Sequence, residues 1–450
     1  MHQNKYSLFE RGIIMSENYQ GLVERQRAFF RTGKTKDVEF RVETLNKLVD
    51  EMKKYENEIL AALRKDLNKS EKEGYRTEIG FVLHEIKYIL DNVHTWAKPK
   101  EAQTPEVFGN ASSMLYPEPY GLALIIAPWN YPFQLAVAPL IGAICAGNCA
   151  VLKPSEFTPA TSGVLAKMVQ ENFPEEYIAV VEGEAETSTA LLKEKFDYIF
   201  FTGSTGVGKI IMSAAAKHLT PVTLELGGKS PCIVHEDADL DTAAQRITKG
   251  KFSNAGQTCV APDYLLIHKS VKDEFLEKMK VQIKEMFGED VSKNPDFTHI
   301  INDRHFNRLS AFLDNGTRVV GGDTEEDRLF IAPTVLDDIK WEDPVMQDEI
   351  FGPILPVIEY DDLTEVIHKI VERPKPLALY LFTEDEEVEN TVLGNISFGG
   401  GCINDTISHL ATPYLPFGGV GESGMGSYHG QGSFDTFTHY KSILKLNRAK

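Results

Sequence analysis

Residues Phe196–Leu219 read FDYIFFTGSTGVGKIIMSAAAKHL. DYIFF has the apolar, aromatic character of a buried strand, Gly203, Gly206 and Gly208 form a turn, and IIMSAAAKHL continues as a helix. A strand that passes through a glycine turn into a helix presents backbone amides and a helix N-terminus, which suit a phosphate. The spacing matches neither familiar nucleotide motif. Gly203, Gly208 and Lys209 almost complete a P-loop, but Ile210 stands where a magnesium-binding hydroxyl belongs. The glycines run G-x-x-G-x-G instead of the dinucleotide order G-x-G-x-x-G. A dinucleotide, another nucleotide or a plain structural corner all remain compatible with this turn.

Working outward, short apolar runs flank it: LALIIA (122–127), CAVLK (149–153), YIAVVEG (177–183) and PVTLEL (221–226). Helical segments begin between them near Pro159, Glu186 and Val207. This alternation predicts a parallel sheet with helices on both faces. Upstream, Leu45, Leu48, Val49, Met52, Ile59, Leu60 and Leu63 recur at helical spacing within Thr35–Asn68, and a second helix is expected over Thr77–Trp96. The Pro-rich, polar stretch after Pro99 reads as a connector or exposed hairpin. Downstream, PCIV, DYLLIH, ILPVIEY and LALYLFT alternate with five helical patterns, which predicts a second α/β domain. The segment from SFGGGCINDT through PFGGVGESGMGSYHG reads as glycine-rich loop, and FTHYKSIL as a last strand.

At 450 residues the chain is too long for one core. Its 47 Lys+Arg against 66 Asp+Glu leave a net charge of −19, which argues against nucleic acid or an anionic membrane as the main partner. Five scattered cysteines without a C-x-x-C pair argue against a disulfide framework and a structural zinc site, and for a reducing cytoplasm. No charge occurs between Pro119 and Leu152, but Pro128, Pro132 and Pro139 argue against a membrane helix there. The N-terminus lacks the apolar core of a signal peptide, and the terminal KLNRAK offers no apolar anchor. Met15 is a second candidate start, which would make the residues before it a tag or an upstream extension.

Three residues have the character of a reaction centre. Cys259, in FSNAGQTCVAPDY, sits among small residues and glycine, as suits a nucleophile that a substrate must approach closely, although a buried structural cysteine is the commoner case. Cys145, Cys149 and Cys232 lie in apolar runs and read as core; Cys402 is less clear. Glu225 ends an apolar strand before two glycines, where burial would raise its pKa toward that of a general base; a solvent-reaching strand end is the alternative. Asn130, in APWNYP, is an uncharged donor in a stiff apolar loop, able to stabilise an oxyanion or merely to satisfy loop backbone.

APWNYP, KPSE, FTGSTGVGK, LELGGKSP, GQTCVAPDY, DEIFGP, INDT and PFGGVGESGMGSYHG, in that order from Ala127 to Gly430, resemble the aldehyde dehydrogenase superfamily. SGMGSYHG and the surroundings of Cys259 resemble its class 3 and fatty aldehyde dehydrogenase branch, in a soluble bacterial-type form without a membrane anchor. The resemblance implies an α/β fold with a Rossmann-type nucleotide-binding domain (1–98 and 117–224), a catalytic domain (225–432) and an oligomerisation arm (99–116 and 433–450). It implies Cys259 as nucleophile, Asn130 with the Cys259 backbone N–H as oxyanion hole, and Glu225 as the base for the hydrolytic water. For NAD or NADP it implies Lys153 and Glu156 at the adenosine ribose, Gly203 and Ser204 at the pyrophosphate, and Glu349 and Phe351 at the nicotinamide riboside. Tyr131 and Phe417 are implied as aromatic lining of the aldehyde tunnel; no metal is implied, and His429 carries no assigned role. The expected activity is NAD(P)-dependent oxidation of medium-chain, long-chain or aromatic aldehydes by a cytoplasmic homodimer. A coenzyme A-dependent acylating enzyme is the alternative, ranked low because Glu225 is present, and a P-loop nucleotide hydrolase is disfavoured by Ile210.

Overall fold

The computed structural model describes residues 6–447, with side chains from Tyr19 onward. The expectations about the residues before Met15 and about the final Arg448–Lys450 fall outside the described side chains. Four sheets form among the described residues: three larger ones, and a two-stranded pair of Thr324–Glu325 with Phe330–Ile331.

The first has six strands, ordered Gly424–Met425, Val222–Glu225, Tyr198–Thr202, Leu122–Ile126, Cys149–Lys153 and Ile178–Val180. All are parallel except Gly424–Met425, which runs antiparallel to Val222–Glu225. The chain enters at Leu122–Ile126, builds outward on one side, then crosses back to lay Tyr198–Thr202 on the other. That reversal is a topological switch point, where the loops at the strand C-termini diverge and leave a crevice. Asn130, Lys153, Gly203 and Glu225 all lie at or just beyond strand C-termini of this sheet.

The second sheet has seven strands, ordered Thr317–Val320, Thr334–Asp337, Ile354–Tyr360, Tyr264–His268, Pro231–Val234, Ala378–Phe382 and Gly400–Ile403, of which only Thr317–Val320 is antiparallel to its neighbour. Two parts of this sheet depart from the sequence reading. Gly400–Ile403, expected as loop, pairs with Ala378–Phe382, and a Cβ at Gly401 would come 2.1 Å from the Leu379 carbonyl oxygen. Thr317–Val320 and Thr334–Asp337 are short strands without a strong apolar run.

One helical reading needs correction. The expected Thr35–Asn68 helix is two helices, Val38–Lys54 and Glu56–Leu67, broken at Tyr55. The apolar stretch after Pro132 forms a wholly buried helix, Gln134–Ala146, with Pro139 inside it. Its missing N–H falls in the second turn, so the helix tolerates it with one bond lost. Among the described residues no helix is long and apolar enough to cross a membrane.

The third sheet is Lys100–Ala102, Ala111–Pro119 and Thr438–Leu446. The Pro99 connector is a hairpin, and its second strand pairs with the last strand of the chain. They pair with each other over nine residues, from Thr438 opposite Pro119 to Leu446 opposite Ala111. The antiparallel ladder satisfies backbone groups of both segments within one chain.

Candidate active site

Cys259 lies between the helix Leu240–Phe252 and the strand Tyr264–His268, in a tight turn. Asn254 and Ala255 both have left-handed backbone (φ 54° and 51°), and Gly256 follows at φ 70°. A Cβ at Gly256 would come 2.2 Å from the Gly352 carbonyl oxygen, so this turn packs backbone to backbone against the DEIFGP loop. The Asn130 side chain reaches the same turn, donating one amide hydrogen to the Gln257 carbonyl at 3.1 Å. Gln257 in turn donates to the His299 carbonyl and accepts from the Ile301 N–H, which anchors the turn to the chain behind it. An amide nitrogen carries two hydrogens, so Asn130, buried and oriented, keeps a second one to donate. Tyr131 shares a 2.8 Å hydrogen bond between its hydroxyl and that of Thr258, next to Cys259.

Two carboxyls act on the thiol through their charge. Glu225 is 3% exposed, and neither of its oxygens has a hydrogen-bond partner among the described residues. Burial pushes its pKa well above the usual carboxylate range. Glu349 lies directly against Gly227, where a Cβ would overlap its carboxyl. Burial, then the charge of Asp263, pushes Glu349 up to about 8. Its loop is pinned from three sides: Ile350 N–H donates to Asp263 at 2.8 Å, Arg308 donates to the Glu349 and Ile350 carbonyls, and Lys229 bonds the Asp348 carbonyl. Cys259 is half-buried, and desolvation reinforced by Glu349 and Glu225 pushes its thiol up to about 12. A thiol held up in this way needs a proton acceptor as it attacks.

The cofactor residues divide into two groups. Lys153, at the end of its strand, pairs with Glu156 at 2.7 Å; Lys153 is buried and Glu156 half-exposed. Ser204 caps the helix Thr205–Ala216, accepting from Val207 N–H at 3.5 Å, and a Cβ at Gly203 would meet the Phe201 ring at 2.5 Å. Val207 and Ile210 are exposed on the first turns of that helix. Phe351 has left-handed backbone (φ 51°) and meets Trp129 edge-on at 5.3 Å. Phe417 lies in an aromatic cluster with Tyr428 and His429. His429 has a structural partner: its ring bonds the buried Glu85 at 2.7 Å, tying the C-terminal loop to the helix Gly80–Trp96.

Sequence reading missed Asp263, Arg308, Trp129, Lys251 and the buried pair Lys69–Glu78. Lys251 is buried beside Asp263 and Glu349, and desolvation lowers it to about 8. At the end of a helix it carries the signature of a solvated cation. No local pattern marks these residues, because their burial is set by the tertiary fold.

The sequence comparison agrees with the geometry. The model of the aldehyde dehydrogenase family matches residues 14–443.

The chain belongs to the aldehyde dehydrogenase family.

Among similar proteins, the 4,4'-diaponeurosporen-aldehyde dehydrogenase of Staphylococcus aureus is 51% identical, over 93% of this chain and 92% of the relative. Aldehyde dehydrogenase family 3 member A2 of Rattus norvegicus is 46% identical, over 94% of this chain and 87% of the relative, which fits the class 3-like branch. A solved structure described as the substrate-bound state of Staphylococcus aureus AldH superposes with a TM-score of 0.94 at 50% identity, covering 96% of this chain and 95% of that one. The enzyme is an NAD(P)-dependent aldehyde dehydrogenase of mixed α/β fold.

Proposed function

We propose that the enzyme oxidises medium- or long-chain aliphatic or aromatic aldehydes to carboxylic acids through an acyl group carried on Cys259. The observation that carries this reading is Glu225, a buried carboxyl whose two oxygens have no partner among the described residues and whose charge acts on the half-buried Cys259 thiol. Such a carboxyl suits holding and deprotonating a water. The Cys259 thiol attacks the aldehyde carbonyl and passes its proton to a base, while Asn130 and the Cys259 backbone N–H stabilise the oxyanion. NAD or NADP, held by Lys153, Glu156, Gly203, Ser204, Glu349 and Phe351, would supply the hydride acceptor that the oxidation to a thioester on Cys259 requires. Glu225 then deprotonates water, which attacks the thioester, releases the acid and returns the thiol.

The residues suit a dinucleotide. The helix Thr205–Ala216 offers unpaired N-terminal N–H groups to phosphate, the Lys153–Glu156 pair offers a donor and an acceptor to ribose, and Glu349 and Phe351 would hold the nicotinamide riboside. The six-stranded sheet and the N-terminal helices form the nucleotide-binding domain (1–98 and 117–224), and the seven-stranded sheet the catalytic domain (225–432). Tyr131 and Phe417 line the approach of the aldehyde.

The three-stranded arm (99–116 and 433–450) supports a homodimer, since Ile443, Leu444 and Leu446 are exposed on it. One relative is named aldehyde dehydrogenase, dimeric NADP-preferring. The cytoplasm is the proposed location, and no nucleic acid is a partner. The test is initial rates on straight-chain, aromatic and semialdehyde substrates with NAD and NADP, with and without coenzyme A. Rates rising with chain length without coenzyme A are expected; a strict requirement for coenzyme A, with an acyl-CoA product, refutes hydrolysis.

A further inference from the structure

Lys69 and Glu78 form an ion pair at 2.6 Å in which neither side chain is exposed to solvent. Desolvating two such charges is costly, and apolar side chains of equal volume would fill the space without that cost. The direction of the pair's contacts is informative, because they all end on one short segment. The Lys69 ammonium donates to the Asn130 carbonyl at 3.3 Å and stands 4.2 Å from the centre of the Tyr131 ring. The second Glu78 oxygen accepts the N–H groups of Phe133 (3.1 Å) and Gln134 (2.9 Å), at the start of the buried helix Gln134–Ala146. Glu78 sits within a π-helical turn, Tyr75–Ile79, an irregularity often retained at functional sites. From the other side, the Asn254 amide donates to the same Asn130 carbonyl at 2.9 Å.

We propose that Lys69, held by Glu78, is a positioning residue for aldehyde oxidation: it locks the backbone on both sides of Asn130 and so sets the direction of the amide hydrogen that meets the reacting oxygen. The inference rests on Asn130 being the oxyanion donor. The ion pair forms no contact with Cys259, and its effect on the reaction passes through the loop.

The test compares Lys69→Met, Asn130→Ala and the double variant, using octanal with NAD, and measures kcat, the NAD dissociation constant and circular dichroism. Asn130→Ala is expected to lower kcat about a hundredfold. Lys69→Met should lower kcat between about tenfold and a hundredfold while NAD binding stays unchanged, as for a misplaced catalytic group. The double variant should be no slower than Asn130→Ala within about twofold, because both changes remove the same function. If Lys69→Met does not fold, Lys69→Met/Glu78→Gln, which leaves no unpaired buried charge, carries the same expectation. Wild-type kcat in either folded Lys69 variant, beside a slow Asn130→Ala, overturns this inference alone. Losses that multiply in the double variant also overturn it. Wild-type kcat in Asn130→Ala instead overturns the oxyanion reading, and this inference with it.

Discussion

Replacing Glu349 by Gln isolates one buried proton. Burial and Asp263 hold this carboxyl up to about 8, against an ordinary value of 4.5. Because the folded enzyme keeps the proton to a higher pH than the unfolded chain, its stabilising effect is complete below pH 4.5 and is lost as pH rises through 8. Across that window the loss amounts to about 5 kcal/mol, at 1.36 kcal/mol per pH unit. The amide introduced by Glu349→Gln would keep an acceptor for the nearby Gly228 N–H but cannot titrate. Between about pH 5.5 and 7.5 the wild type should therefore lose about 3 kcal/mol more than the variant. Urea unfolding of both proteins across this range measures the difference, provided the slopes of the transitions agree. Difference infrared spectra should show a protonated carboxyl in the wild type near pH 6.5 that the variant lacks. Stability curves that run parallel with pH, with no such band, would show that Glu349 is ionised throughout and refute its desolvated placement.

Three further outcomes are expected. Cys259→Ala should abolish turnover while NAD still binds, and alkylation of wild-type Cys259 should rise about tenfold per pH unit from pH 7 to 10, because the thiol is held up to about 12; a plateau by pH 8 would show a thiolate already formed. Glu225→Gln should give a burst of NADH near one equivalent per active site and a trapped acyl-enzyme by mass spectrometry, unless Glu225 also takes the thiol proton, in which case the burst itself slows; undiminished steady turnover would remove Glu225 as the base. Glu156→Gln should raise kcat/KM with NADP relative to NAD, since a carboxylate there repels a 2′-phosphate while Lys153 partly offsets it; an unchanged ratio would place Glu156 away from the ribose.

The sequence alone determined what depends on neighbours along the chain. Apolar runs such as DYIFF and CAVLK became strands because their residues suit a sheet buried on both faces, and the glycine turn at Gly203 followed from its local composition. The order of motifs around Cys259, Glu225 and Asn130 likewise carried the family and its chemistry. The tertiary structure decided whatever depends on burial and on partners far away in the chain. Gly400–Ile403 is a strand only because Ala378–Phe382 offers it an edge, and the connector is an arm only because Thr438–Leu446 returns to pair with it. The upward pKa shifts of Cys259 and Glu349 follow from their burial, which no local pattern records. Lys69 and Glu78 look in sequence like two of many helix-surface charges. Only packing brings them beneath Asn130, 61 and 52 residues further along, where a buried charge must find its partner.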